Sequence, residues 1–217
     1  MKTTTYTPPD FNKFFFNKFS DYRFNLAECF DDFLTIFVCC LSRKTQEELY
    51  LKTIEKYSKQ DLEDFAKLFG IIWVEYLTNI EERTWSDPLG SLYEEITSRF
   101  KSQMLGQFFT PESVCNLMAA ITANKDEFGQ KINDPCCGSG RMLLAHESIS
   151  KGNYCIGADI DPICVKMSAL NLALHGIKGE IWQGDSIRQK YYKVYIINAD
   201  YWKTKTPSII TKFIEQK

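Results

Sequence analysis

Three short stretches of this sequence hold residues whose types and spacing suit the binding of a nucleoside. The first is Asp134-Pro135-Cys136-Cys137-Gly138-Ser139-Gly140. Gly138 and Gly140 permit tight backbone geometry and close approach of a ligand, and a helix starting after them would offer unpaired N–H groups and positive potential. The second is Asp159, 19 residues after Gly140, where a carboxylate can accept both hydroxyls of a ribose. The third is Gly184-Asp185, whose carboxylate suits the exocyclic amine of adenine. Each acid alone also reads as a helix N-cap, Asp159 and Asp161 especially. The turn lacks the order G-x-G-x-x-G, which argues against NAD, and the absence of a following Gly-Lys-Ser/Thr excludes a P-loop.

Those stretches need a framework that ends each of them at one rim. Beyond about residue 99, β-like runs at Lys131–Asn133, Tyr154–Ala158, Glu180–Gln183 and Val194–Ile197 alternate with helical runs at Arg141–Ser150 and Pro162–His175. This alternation predicts βαβ units and a parallel sheet, which binds ligands at the carboxyl ends of its strands. Glu112–Ala123 is predicted helical with Val114, Leu117, Met118 and Ile121 on one face, and a last helix is expected from Pro207. The first hundred residues read as helix. Phe11, Phe14, Phe15, Phe19 and Phe24 form one aromatic stripe, and Phe30, Phe33, Leu34, Phe37 and Val38 recur at helical spacing. Phe65, Leu68, Phe69, Ile72, Trp73, Tyr76 and Leu77 form another stripe, better suited to helix packing than to base stacking. Thr45 with Glu48, and more weakly Asp61 with Asp64, suggest capping boxes, and Asp87-Pro88 restarts a helix through Ser98. The expected organisation is a helical domain over 1–98 and an α/β domain over 99–217.

With these elements in place the chain resembles the N6-adenine DNA methyltransferases, most closely the modification subunit of type I restriction–modification systems. Gly106-Gln107-Phe108-Phe109-Thr110-Pro111 is similar to that family's G-x-[FY]-[FY]-T-P segment, and Asp134 to Gly140 to its D-P-x-C-G-S-G loop. Ala158-Asp159-Ile160-Asp161-Pro162 resembles its ribose-binding turn, Asn171-Leu172-Ala173-Leu174-His175-Gly176 its N-x-x-L-H-G helix ending, and Gly184-Asp185-Ser186 its adenine-contacting loop. The resemblance covers roughly residues 88–202 and implies S-adenosylmethionine as cofactor. Phe108, Phe109, Thr110 and Pro111 would pack over the methionine part. Asp134, Pro135, Cys136, Gly138, Ser139 and Gly140 would form the loop, Asp159 and Ile160 the ribose contact, and Asp185 and Ser186 the adenine contact. The resemblance further implies an α/β Rossmann-like methyltransferase core preceded by a helical domain, and methyl transfer to N6 of adenine in DNA. Its implied partners are DNA and restriction–modification subunits, in an intracellular bacterial setting.

In that family the chemistry follows the fourth strand in [ND]-P-P-[YF]; here the residues are Asn198-Ala199-Asp200-Tyr201. The amine of adenine is a poor nucleophile because its lone pair is conjugated into the ring. Acceptors on its two hydrogens must hold it toward the sulfonium methyl and stabilise developing charge. The resemblance assigns those acceptors to the Asn198 side chain and the Ala199 carbonyl, and stacking on a flipped base to Tyr201. Losing both prolines removes two fixed φ angles, and a misplacement of about 1 Å can cost about 10²-fold in rate. Asp200 adds an N–H and a charge that either attracts the sulfonium or repels phosphate. Residues 198–201 also read as an ordinary strand-to-loop exit with packing aromatics. Two functions stay open: a DNA adenine-N6 methyltransferase, or a non-catalytic cofactor-binding or partner-binding remnant or accessory subunit. The family's sheet has seven strands, whereas four candidates here imply a truncated parallel sheet of order 3-2-1-4. Its fourth strand is an exposed edge unless Pro207–Ile214 or a partner chain, in a homodimer or hetero-complex, covers it.

Composition bounds these expectations. The 217 residues are 44% hydrophobic and 25% charged, which excludes wholesale disorder, collagen and a disulfide scaffold. The net charge of -2 carries no global basic character, but residues 1–100 hold a net -5 and residues 101–217 a net +3. Positive potential is expected toward the C-terminal end. There Arg188, Lys190, Lys193, Lys203, Lys205 and Lys212 either touch DNA phosphates or keep an edge solvated. The eight cysteines include no CxxC and accompany two histidines, His146 and His175. Reduced thiols in a cytoplasmic protein, and no metal site, are expected. The opening MKTTTYTPPD lacks the apolar run of a signal peptide, and Leu34 to Leu41 is too short to span a bilayer.

Overall fold

The computed structural model describes residues 9–21, 23–82, 84–99, 109–126 and 128–215; Gly106, Gln107 and Phe108 lie outside them. Helix α1 (Phe11–Phe19) starts where the Asp10 carboxylate accepts from the Lys13 N–H at 2.8 Å. Helix α2 (Leu26–Leu41) starts where Asn25 Oδ1 accepts from the N–H groups of Ala27 and Glu28. Helix α3 (Glu47–Ile54) has no side-chain cap, because Thr45 Oγ1 donates back to the Ser42 carbonyl instead of forming a box with Glu48. The box of α4 (Lys59–Glu82) joins Ser58 to Asp61: the Ser58 N–H donates to Asp61 Oδ2 at 3.0 Å and the Asp61 N–H to Ser58 Oγ at 3.2 Å. Helix α5 (Pro88–Arg99) follows Asp87. Phe15, Phe19, Phe30, Phe33 and Phe37 are buried in one cluster with Phe65, whose ring stacks on Phe19 at 4.5 Å. Phe65, Leu68, Ile72 and Tyr76 are core, as their spacing predicts.

Helix α6 (Glu112–Thr122) buries Cys115 and Ala119 against Ala145 of α7 (Arg141–Ile149). Those small side chains let the two helices approach closely, and the stripe of Val114, Leu117, Met118 and Ile121 is exposed, Ile121 at 70%. Strands β1 (Lys131–Asp134), β2 (Tyr154–Asp159) and β3 (Lys178–Asp185) are parallel, joined through α7 and α8 (Pro162–Leu174). Strands β4 (Lys190–Ile197) and β5 (Ile209–Phe213) add antiparallel, so the sheet order is β1-β2-β3-β4-β5.

The expected order 3-2-1-4 is corrected here: β4 lies beside β3, and β1 is an edge. The cause is chain length. Only residues 186–189 separate β3 from β4, whereas a parallel crossover back to β1 needs about a dozen residues or more. Asp185 Oδ1 accepts from the N–H groups of Ile187 and Arg188, and Gln189 takes φ +53, which reverses the chain into a hairpin. The helix expected from Pro207 is strand β5 instead. Ile209, Ile210 and Thr211 are β-branched and pair with Ile197, Ile196 and Tyr195, covering the β4 edge. One helical turn, α9 (Tyr201–Thr204), lies between β4 and β5. The fold is α/β, a mixed sheet with flanking helices.

The N-terminal helices and the sheet share one core through α8, which is buried along its length and packs on β2 to β4 and on α2, α4 and α5. At its end the Tyr76 hydroxyl donates to Asn171 Oδ1. His175 Nδ1 donates to the Asn171 carbonyl at 2.8 Å while its Nε2 accepts from the Ser86 N–H at 3.5 Å. Burial pushes the His175 pKa from 6.5 down to about 4. The unfolded chain therefore binds this proton at a higher pH than the folded one. Stability is full above pH 6.5 and falls by about 3 kcal/mol as pH drops toward 4. In urea denaturation His175→Gln is expected to flatten that part of the profile; an unchanged slope would contradict a buried neutral imidazole. Among the described residues no helix is long and apolar enough to cross a membrane.

Candidate functional site

The carboxyl ends of β1, β2 and β3 share one rim. After β1 the chain turns through Asp134 to Gly140, with Gly138 at φ +54 and Gly140 at φ +92, conformations that glycine adopts at no steric cost. Both positions are also crowded: a Cβ on Gly138 would lie 2.9 Å from the Phe109 ring, and one on Gly140 2.8 Å from Ser168 Oγ. The Gly138 N–H donates to Asp159 Oδ2 at 2.9 Å, and Asp159 Oδ1 accepts from the Asp161 N–H at 3.0 Å. Asp134 accepts from the Cys136 N–H at 3.1 Å, and burial, together with the Asp159 charge, raises its pKa. Ser186 Oγ donates to the Pro135 carbonyl at 2.7 Å, which brings the β3 loop onto the turn.

These loops and the segment before α6 enclose a cavity of about 180 Å³. Phe109, Thr110, Asp134, Cys136, Gly138, Ser139 and Asp159 all line it. Pro111, at the start of α6, and Pro135, Gly140, Ile160, Asp185 and Ser186 flank the rim without lining the cavity. Asp185 is held by its own hairpin amides. Whole small-molecule sites occupy about 300–1,000 Å³, so the cavity accommodates part of a nucleoside-sized ligand and leaves the rest over the open rim. The chemistry offered is two carboxylates, a backbone turn without a Cβ at Gly138 and Gly140, and the Phe109 ring.

Arg141, Glu94 and Asp87 also belong here, and sequence reasoning missed them. Arg141 donates from Nε to Asp87 Oδ2 at 2.7 Å and from Nη2 to Glu94 Oε2 at 2.9 Å, and its guanidinium lies 5.3 Å from the Phe109 centroid. The Phe109 N–H donates to Glu94 Oε1 at 3.2 Å. Their only local signal was Asp87-Pro88, read as a helix start.

Asn198, Ala199, Asp200 and Tyr201 are not brought to this rim. Because β4 runs antiparallel to β3, Lys190 pairs with Asp185 at the rim while Ile197 pairs with Gly179 at the far end. At about 3.3 Å per residue that puts Asn198 about 20 Å away. Asn198 is buried at φ +54, where its Nδ2 donates to the Ala173 and Ile177 carbonyls at 2.9 Å each and its Oδ1 accepts from the Ser208 N–H at 3.0 Å. Ala199 is exposed. Asp200 forms a two-pronged ion pair with Arg43 at 2.7 and 2.8 Å, which lowers its pKa. The Tyr201 ring packs on Gly176, 3.0 Å from where a Cβ would stand. Lys193 is half-buried, 4.8 Å from the Tyr195 centroid, and burial lowers its pKa to about 8. Arg188, Lys190, Lys203, Lys205 and Lys212 are exposed.

None of the eight cysteines is in a disulfide, and Cys40 and Cys136 are exposed while the others are buried. Burial raises Cys39 to about 11 and Cys29 to about 12. A thiol reagent is expected to modify two groups rapidly in the native chain and the remainder only on unfolding; rapid modification of more than two would mean a looser interior. Among the described residues no group of three or more His, Cys, Asp or Glu converges as a metal site would.

Comparison with known proteins adds the following. The profile of the N-6 DNA Methylase family matches residues 84–211. The MjaVII type I restriction enzyme methylase subunit of Methanocaldococcus jannaschii is 32% identical over 132 residues, covering 56% of this chain and 22% of that protein. The HindI type I restriction enzyme methylase subunit of Haemophilus influenzae is 30% identical over 115 residues, covering 48% of this chain and 25% of that protein. The match thus spans about a quarter or less of these curated relatives. Among solved structures, the type I restriction–modification methyltransferase subunit of Streptococcus thermophilus aligns with a TM-score of 0.43 at 19% identity, covering 83% of this chain and 57% of that one.

Proposed function

The chain belongs to the N-6 DNA methylase family, and from that premise we propose that it is the S-adenosylmethionine-binding part of an adenine-N6 DNA methylation system and does not itself orient the adenine. The residues at the rim fit that cofactor. Asp159 would accept from the ribose hydroxyls, the Gly138–Gly140 turn would admit close approach, Phe109 and Thr110 would cover the methionine part, and Asp185 with Ser186 would border the adenine. When bound, the cofactor supplies an electrophilic methyl group on sulfur.

The observation that carries this proposal is the separation of about 20 Å between the rim and Asn198. Direct transfer requires reacting atoms about 3–3.5 Å apart, so an amine held by Asn198 would be out of reach. The acceptors that orient the base, and the surface that reads DNA sequence, then come from a partner subunit of restriction–modification type. The exposed lysines of this chain would add phosphate contacts that position DNA without specifying it.

Transfer of labelled methyl to adenine-rich duplexes tests the proposal. The chain alone is expected to bind S-adenosylmethionine in calorimetry and to transfer nothing, and turnover by the wild-type chain would overturn it. A second reading, transfer by this chain itself, is favoured by the occurrence of Asn198 and Tyr201 in the family's order. Replacing Ala199 and Asp200 by proline bears on both: a large gain in transfer favours decay of an active ancestor whose acceptors lay in this chain, no gain supports acceptors from a partner, and turnover by the wild-type chain supports the second reading.

A further inference from the structure

We infer that Asp87, which belongs to the helical part of the chain and does not line the cavity, is a positioning residue that sets the shape of the glycine turn and the seat of Phe109. The ligand in this inference is the one proposed above; the shape of the turn is independent of it.

The Asp87 side chain is wholly buried at the start of α5. Its Oδ1 accepts from the Gly90 N–H and from Asn171 Nδ2, each at 2.8 Å. Its Oδ2 accepts from Ser139 Oγ at 2.6 Å and from Arg141 Nε at 2.7 Å. An ionised carboxylate has about four acceptor sites, and all are filled. A buried carboxylate is tolerated only when paired and hydrogen-bonded in this way. Helix capping accounts for the Gly90 bond alone. The other three bonds leave α5 and reach the residues on either side of Gly140 and the asparagine beneath them.

Two arms follow from this hub. In the first, Ser139 is gripped at both ends, its hydroxyl by Asp87 and its carbonyl by Asn171 Nδ2 at 2.8 Å. That holds the peptide planes between Gly138 and Gly140, the two positions at positive φ. In the second, Arg141 extends from Asp87 to Glu94 and to the Thr110 carbonyl at 3.4 Å, with its guanidinium near the Phe109 face. One carboxylate therefore orients both walls of the cavity.

Asp87→Asn retains the size and replaces one acceptor by a donor. S-adenosylhomocysteine affinity is expected to fall at least tenfold in calorimetry. Amide exchange at Cys137, Gly138 and Gly140, whose N–H groups bond to the Ala158 carbonyl, Asp159 and the Cys137 carbonyl, is expected to accelerate at least tenfold. The amides of α2 should keep wild-type rates, a contrast that general destabilisation would not produce. Should Asp87→Asn fail to fold, Ser139→Ala cuts only the first arm and leaves the Asp87–Arg141 pair; it is expected to accelerate the same three amides at least threefold. Wild-type exchange at the turn in either folded variant would overturn the inference. Failure of the wild-type chain to bind either S-adenosylmethionine or S-adenosylhomocysteine would remove the cofactor proposal, and exchange would still decide the role of Asp87.

Discussion

Asp159→Ala is expected to weaken S-adenosylmethionine binding at least 100-fold while the chain stays folded. This carboxylate has two duties at the rim. Its Oδ2 accepts from the Gly138 N–H at 2.9 Å and its Oδ1 from the Asp161 N–H at 3.0 Å, and Asp159 lines the cavity, where each oxygen has a second lone pair to offer a ribose hydroxyl. Hydrogen bonds to a charged group contribute about 1.5–3 kcal/mol each, so losing two costs about 3–6 kcal/mol, more than the roughly 2.7 kcal/mol of a 100-fold change in Kd. Asp159→Asn keeps the size and one acceptor and should lose about tenfold. Calorimetric titration of the three proteins with S-adenosylmethionine and S-adenosylhomocysteine reads this directly. Wild-type affinity in Asp159→Ala would place the nucleoside elsewhere on the molecule.

The second large effect is on stability. Asn198→Ala is expected to destabilise the fold by about 3–5 kcal/mol, because it strands the buried Ile177 carbonyl and the Ser208 N–H and leaves the Ala173 carbonyl with only its helix-end partner, the Gly176 N–H. Each unsatisfied group costs about 1–3 kcal/mol. The alanine must also adopt the left-handed conformation at φ +54, which asparagine tolerates better at a difference of about 1 kcal/mol. Asn198→Gly relieves the second cost and not the first, so it should fall between the wild type and Asn198→Ala in urea denaturation. A catalytic acceptor exposed to substrate would give the opposite pattern, intact stability with lost transfer. A wild-type unfolding midpoint in Asn198→Ala would rule out the structural role.

What was legible in the sequence was local. The phenylalanine stripes, the start at Asp87-Pro88, the three parallel strands and the glycine turn followed by Asp159 each follow from a few neighbouring residues. The direction of β4 does not: Val194 to Ile197 is the same apolar run whether it lies parallel beside β1 or antiparallel beside β3. Family resemblance supplied the first order, and a four-residue link permits only the second. The run after Pro207 was ambiguous for the same reason, since a short apolar segment does not distinguish helix from strand. Periodicity identified one face of α6, but Cys115 and Ala119, rather than the larger side chains, meet α7. Asp87 looked like a cap because its partners Ser139 and Arg141 lie 52 and 54 residues away, beyond any local pattern.

The hairpin after Asp185 also bears on when the sheet forms. Strands β3 and β4 are linked by four residues, and β4 and β5 by 11, whereas β1 and β2, and β2 and β3, are separated by 19 and 18. Short closures cost less entropy, and hairpins form in about 1–10 μs. The β3–β4–β5 meander is therefore expected to form first, with β2 and then β1, which pairs only with β2, docking onto it with their helices. The glycine turn rides on the strand that docks last. On that order, completion of folding and ordering of the rim would be one kinetic event, and a ligand bound there would act on the final step of assembly.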